Sequence, residues 1–130
     1  LNIGDVAKRT GVKAKTIRYY EDIGFLKPKR TENGYREFDE ADLHKLVFIG
    51  RARHLGFSIE SCRALLALYE DKNRTSAEVK QLAQAHLNAI DEKLVLLQEM
   101  HSTLSRLISA CAGDDRPDCP IMNELKIDLR

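Results

Sequence analysis

Proline and glycine are both missing from one long stretch of this 130-residue chain, Ser76 to Cys111. Nothing there interrupts a helix, although a globular helix usually runs about 8–20 residues. Long hydrophobic runs are missing too. No segment approaches the roughly 18 apolar residues of a membrane span, and the first 30 residues hold no apolar signal-peptide core. The reading is a cytoplasmic protein with no membrane partner. Cysteine is scarce: the three residues Cys62, Cys111 and Cys119 are too few and too odd for a secreted disulfide framework. In a reducing compartment, paired thiols more often bind metal or do redox work. Without a Cys-x-x-C motif or a βαβ pattern, a thiol oxidoreductase is excluded, and the chain is read as no enzyme. A large net charge is also absent, at +1, but the distribution is uneven. Residues 1–57 carry 12 Lys+Arg against 8 Asp+Glu, and residues 58–130 carry 9 against 12. The front half is the candidate for a polyanion.

The uninterrupted stretch predicts one helix over 76–110. Thr75 and Glu78 form a candidate capping box at its start, and Gly113 marks its stop. Apolar residues alternate at steps of four and three: Ala83, Leu87, Ile90, Leu94, Leu97, Leu104, Ile108 and Cys111, with His101 in one slot. Val79, Leu96, Met100 and Leu107 form a second row. This is the heptad pattern of a coiled coil. A helix of roughly 50 Å, at 1.5 Å per residue, outruns what the rest of the chain could wrap around it. The partner expected is a second copy. Antiparallel pairing about a two-fold axis would place Ser76 of one chain near Cys111 of the other, making two composite sites. Parallel pairing would not.

The front of the chain reads as short capped helices. Asn2 caps a helix to Thr10, Gly11 ends it, and a second runs from Ala14 to about Ile23, closed by Gly24. Two short helices across a glycine turn are either a plain αα-hairpin or a helix-turn-helix whose second helix enters the DNA major groove. The polar face with Lys15, Arg18 and Tyr19 favours the latter. Asn33-Gly34 then signals a hairpin turn. Lys27, Lys29, Arg30, Tyr35 and Arg36 gather on that hairpin, read as a phosphate-gripping wing in preference to a solvated charged turn. Asp39 caps a helix over 40–54 with Leu43, Leu46, Val47, Ile49 and Ala52 on its apolar side. Ser58 caps another over 59–70 with Ile59, Cys62, Leu65, Leu66 and Tyr69. Cys62 in that stripe reads as a small core residue. His44, His54, His86 and His101 have no second metal ligand at helical spacing and read as surface or seam histidines. The predicted organisation is a mostly α chain. Residues 1–70 form a winged helix-turn-helix domain with two following helices, 71–75 a linker, 76–110 the dimerisation helix, and 111–130 a loop and short C-terminal helix. In that last segment Ile121, Met122, Leu125, Ile127 and Leu129 are expected to pack back.

Ile17-Arg18-Tyr19-Tyr20-Glu21 with Gly24, the Asn33-Gly34-Tyr35-Arg36 wing and Arg53-His54-Leu55-Gly56-Phe57-Ser58 together resemble the MerR family of transcription activators. The tail, Ala110-Cys111-Ala112-Gly113-Asp114-Asp115 with Asp118-Cys119-Pro120-Ile121, resembles its copper-efflux regulator (CueR-like) branch. Lys13 departs from the capping Ser or Thr often found there. The resemblance implies a homodimer joined by an antiparallel coiled coil, and a site for Cu(I), Ag(I) or Au(I), one ion per Cys111/Cys119 pair. It implies action on double-stranded promoter DNA, bent and untwisted so that RNA polymerase can engage. Arg18, Tyr19, Arg30, Tyr35 and Arg36 match positions that contact DNA in the family.

The donor chemistry agrees with that branch. Soft thiolates suit Cu(I), whereas a structural zinc site needs four ligands and no second cysteine pair exists. Two thiolates and one monovalent ion leave a net charge of −1, which a helix N-terminus and a nearby cation offset. In the antiparallel dimer the partner helix would bring Ser76 and Lys80 beside the loop. A regulatory disulfide between Cys111 and Cys119, inert loop cysteines, and a redox or organic-ligand sensor on the same scaffold are the alternatives.

Overall fold

The computed structural model describes residues 1–126. They form α1 (Ile3–Thr10), α2 (Ala14–Asp22), β1 (Lys29–Arg30), β2 (Arg36–Glu37), α3 (Glu40–His54), α4 (Ile59–Glu70), α5 (Ser76–Ala110) and α6 (Pro120–Leu125). The mostly helical class read from the sequence is the observed one. The chain falls into two compact units, Leu1–Leu82 and the residues from Ala83 on.

In the first unit, side-chain caps set the helix starts. The Asn2 amide oxygen accepts from the N–H of Asp5 at 2.8 Å, and the Asp5 carboxylate accepts from the N–H of Asn2 at 3.4 Å. Asp39 and Asp42 make the same reciprocal pair for α3 at 2.9 and 3.0 Å, and Ser58 caps α4 by accepting from the Ser61 N–H. Helix α2 lacks such help, because the Lys13 side chain carries no acceptor oxygen. Burial holds it instead: Ile17 and Tyr20 on one face enter a core with Val6, Leu26, Phe38, Leu46, Ile49 and Cys62. Side chains such as Ile17 and Leu46, fully removed from solvent, each contribute about 1.5–3 kcal/mol. Cys62 is a core residue as expected. Two expectations about faces fail. Val47 turns outward, because α3 buries the narrower row Leu43, Leu46, Ile49 and Ala52. Tyr69 stays 41% exposed, covered on one side by Phe48 at a ring separation of 4.6 Å.

The hairpin pairs Lys29 with Glu37 and Arg30 with Arg36. Its turn is not centred on Asn33-Gly34. The N–H of Gly34 donates to the carbonyl of Thr31 at 2.9 Å, so Glu32 and Asn33 are the central residues, and Gly34 follows at φ 82°. That is a turn followed by a left-handed bulge residue. Asn33 keeps negative φ, so a two-residue turn requiring positive φ at both central positions is excluded.

Helix α5 is 35 residues long, with the boundaries read from the sequence. The Glu78 N–H donates to the Thr75 hydroxyl at 3.2 Å, half of the expected capping box; the returning carboxylate bond is not made. In the second unit, Leu107 is the buried residue of this helix. The seam residues Leu87, Leu94, Leu97, Leu104 and Ile108 are half exposed or more. In α6, Ile121 is partly covered but Met122 and Leu125 point to solvent. The expected packing of this tail therefore fails for those two, since a six-residue helix turns only part of its surface inward. Ile127 and Leu129 lie outside the described residues.

Candidate functional site

Two constellations carry chemistry. The first is in the Leu1–Leu82 unit. Helix α2 has two faces: Ile17 and Tyr20 are buried, while Lys15, Arg18 and Tyr19 are exposed together at spacings of three and four. Adjacent tyrosines thus part company. Tyr19 is available to a ligand, and burial pushes the Tyr20 hydroxyl pKa up, keeping it neutral within the core.

Beside α2 stands the hairpin, with Tyr35 strongly exposed at its tip. The Tyr35 N–H donates to the Thr31 hydroxyl at 3.2 Å, which fixes the tip. Lys27 and Lys29 are exposed as well. Arg30 and Arg36 are not free. Both donate to Glu21 of α2: Arg36 Nε to Oε1 at 2.6 Å, and Arg30 Nη2 to Oε2 at 3.0 Å. Glu21 is the residue the sequence reading missed as part of a site. It stands within the quoted motif, but only the fold brings it to arginines 9 and 15 positions away. At the C-terminal end of α2, Arg63 of α4 donates to the Ile23 carbonyl at 2.7 Å and lies over the Phe25 ring at 4.9 Å. The helix that presents Arg18 is thereby held at its base.

The second constellation follows α5. Cys111 continues from the end of that helix and Cys119 caps α6, and their sulfurs lie 3.2 Å apart. That is well beyond the roughly 2.05 Å of a disulfide, and both thiols are free and partly buried. Between them Asp114 folds the loop by accepting from the Arg116 backbone N–H at 3.0 Å and from its guanidinium at 2.9 and 3.0 Å. The same guanidinium holds the Asp114 carboxyl below its usual range. The Cys119 thiol is also lowered, chiefly by the Met122 backbone N–H, then by Cys111 and the Ile121 N–H. Cys119 makes no side-chain hydrogen bond of capping length, so these groups act as nearby dipoles. The thiolate, the form that binds metal, is favoured there.

Among the described residues no three His, Cys, Asp or Glu side chains converge. One chain therefore offers two sulfurs and not the four donors of a closed zinc site. Ser76 and Lys80, expected beside the thiols of a partner chain, are exposed in the first turns of α5. Among the described residues no helix is long and apolar enough to cross a membrane.

Two short helices with Lys15, Arg18 and Tyr19 on an open face, flanked by a basic hairpin, define a winged helix-turn-helix DNA-binding protein. Known proteins carry this to a family. Residues 1–69 match the family described as MerR HTH family regulatory protein, and residues 43–107 that described as MerR, DNA binding. The chain belongs to the MerR family of helix-turn-helix transcriptional regulators. It is 56% identical over 125 residues to the HTH-type transcriptional regulator HmrR of Rhizobium leguminosarum bv. viciae, a match covering 96% of this chain and 97% of that one. It is 41% identical over 126 residues to the HTH-type transcriptional regulator CueR of Salmonella typhimurium, covering 96% and 91%. The crystal structure of the transcription regulator PbrR691 from Ralstonia metallidurans CH34 in complex with lead(II) is similar at a TM-score of 0.85 and 31% identity, covering 96% and 98%. These relatives are regulators, not enzymes.

Proposed function

We propose that this chain is a metal-sensing transcription activator. It acts as a homodimer on promoter DNA, with Cys111 and Cys119 as ligands for a monovalent soft ion, Cu(I) or else Ag(I) or Au(I), one per pair. The observation that carries the reading is the pair of free, partly buried sulfurs 3.2 Å apart, on which no third His, Cys, Asp or Glu converges among the described residues. Thiolates favour soft ions, and two of them suit an ion content with low coordination. Similarity to a relative named heavy metal-dependent transcription regulator 2, of Rhizobium meliloti (strain 1021), and to the lead(II)-bound structure supports a metal effector.

The roles of the chain's own residues follow. Cys111 and Cys119 lose their protons on binding, and the N–H groups at the start of α6 favour the Cys119 thiolate. Ser76 and Lys80 of a partner chain would complete the site in an antiparallel dimer, Lys80 offsetting the residual negative charge. Arg18, Tyr19 and Lys15 would read the major groove while Arg30, Tyr35, Arg36 and the wing lysines meet phosphate. Metal would then shift a DNA-bound dimer between two shapes, so that polymerase can engage the distorted promoter. Anaerobic titration with Cu(I) under a competing chelator tests this. One tightly held ion per Cys111/Cys119 pair, lost in Cys111→Ser and Cys119→Ser, is the expected result. No competitive binding of any monovalent ion would leave a redox or organic-ligand sensor on the same scaffold.

A further inference from the structure

Glu21 is placed where a carboxylate should be unwelcome. It lies in the last turn of α2, which closes on Glu21 and Asp22 with no basic residue, and negative charge at a helix C-terminus opposes the helix dipole. Across the hairpin, Arg30 and Arg36 are direct partners, and like charges directly opposite on a two-stranded ladder are also unfavourable. One contact resolves both conflicts. The Glu21 carboxylate accepts from Arg36 Nε at 2.6 Å through Oε1, and from Arg30 Nη2 at 3.0 Å through Oε2 and 3.3 Å through Oε1. Its side chain is only 17% exposed, against 46% for Arg30 and 25% for Arg36. The triad keeps one positive charge out of two, and ties the wing to the helix that carries Arg18 and Tyr19.

We propose that Glu21 is a specificity-determining positioning residue: it holds the wing against the recognition helix and trades general affinity for DNA against sequence discrimination. The proposal rests on DNA binding by α2 and the wing. With Glu21 in place, neither guanidinium is free to seek any phosphate in reach. Each meets backbone only where the duplex fits the fixed distance between helix and wing. Without the carboxylate the two arginines repel across the ladder and splay. Both then add to phosphate neutralisation, which is indifferent to sequence.

The test uses the full chain, an operator duplex selected from a random library by the wild-type protein, and a scrambled duplex of equal length. Anisotropy is followed across salt concentrations. Glu21→Gln removes the charge at almost constant shape. It is expected to bind the scrambled duplex about tenfold more tightly at low salt, with a log–log salt slope steeper by about 1 per protomer. The ratio of operator to scrambled affinity should fall about tenfold. Glu21→Asp, which keeps the charge, should restore the wild-type slope. A folded Glu21→Gln protein with unchanged slope and ratio would overturn the proposal. So would parallel loss of both affinities at constant slope, the mark of a merely structural contact. If Glu21→Gln fails to fold, Arg30→Gln decides, since it leaves a neutral pair: a slope shallower by about 1 per protomer is expected, and an unchanged slope overturns the proposal. Failure of the wild-type protein to select any duplex would instead remove the DNA-binding reading itself.

Discussion

Substituting the centre of the α5 seam tests the assembly quantitatively. Leu87, Leu94, Leu97, Met100, Leu104 and Ile108 are each 46% to 62% exposed in the single chain. Full burial of such a side chain stabilises by about 1.5–3 kcal/mol, so covering the exposed half contributes about 1 kcal/mol. Six residues from each of two chains then give a gross gain of about 12 kcal/mol. Association costs about 4–15 kcal/mol in lost freedom, so the margin is narrow and each position counts. In a symmetric dimer Leu97→Ala is lost twice, about 1–2 kcal/mol, or roughly 5- to 30-fold in the dimer dissociation constant. Leu97→Asp also places a charge in the seam on both chains, and the product is monomer or aggregate. Sedimentation equilibrium of wild type and both variants measures this. A wild-type protein that sediments as a folded monomer at micromolar concentration would refute the coiled-coil reasoning.

Arg18→Ala should weaken operator binding by about 1–3 kcal/mol if it reads a base edge, with Cu(I) affinity near wild type; an unchanged footprint would remove that contact. The three thiols should alkylate unequally in the metal-free protein. Cys119, whose pKa is lowered by the Met122 N–H, exposes more thiolate near neutral pH, and its rate should fall as pH drops, whereas burial raises the Cys62 thiol. Peptide mass spectrometry after brief iodoacetamide treatment measures the order, and equal rates at Cys62 and Cys119 would contradict it. Ser76→Cys should add a third thiolate to the composite site, favouring Zn(II) or Hg(II), because three thiolates leave −2 around a monovalent ion and −1 around a divalent one. Identical selectivity of wild type and variant in competitive anaerobic titration would mean Ser76 is remote from the metal.

The helices were legible because their ends are written locally. Asn2, Asp39, Ser58 and Thr75 supply the caps, and Gly11, Gly24, Gly56 and Gly113 all take positive φ just past helix ends. The length of α5 was legible for the same reason, as an uninterrupted run between Thr75 and Gly113. Residues whose roles depend on distant partners were less so. The Arg30 and Arg36 guanidinia read from the sequence as part of a phosphate-gripping wing, and only the fold brings Glu21 between them. A carboxylate closing a helix was the one available signal. Asn33-Gly34 marks the wing turn but serves two turn geometries, and only the fold shows that the glycine here supplies the bulge after Glu32 and Asn33. Cys111 and Cys119 were legible as a pair by spacing, but their separation depends on how Asp114 and Arg116 fold the loop between them.

Transcription in vitro from the cognate promoter, with and without Cu(I) and with operator occupancy followed by anisotropy in the same reaction, tests the central claim most directly. The account predicts that metal-free and Cu(I)-bound protein both occupy the operator and that only the Cu(I) form activates. It predicts further that Cys111→Ser and Cys119→Ser occupy the operator without activating. Activation by Cu(I) that survives loss of either thiol, or Cu(I) that merely drives the protein onto or off the DNA, would contradict it.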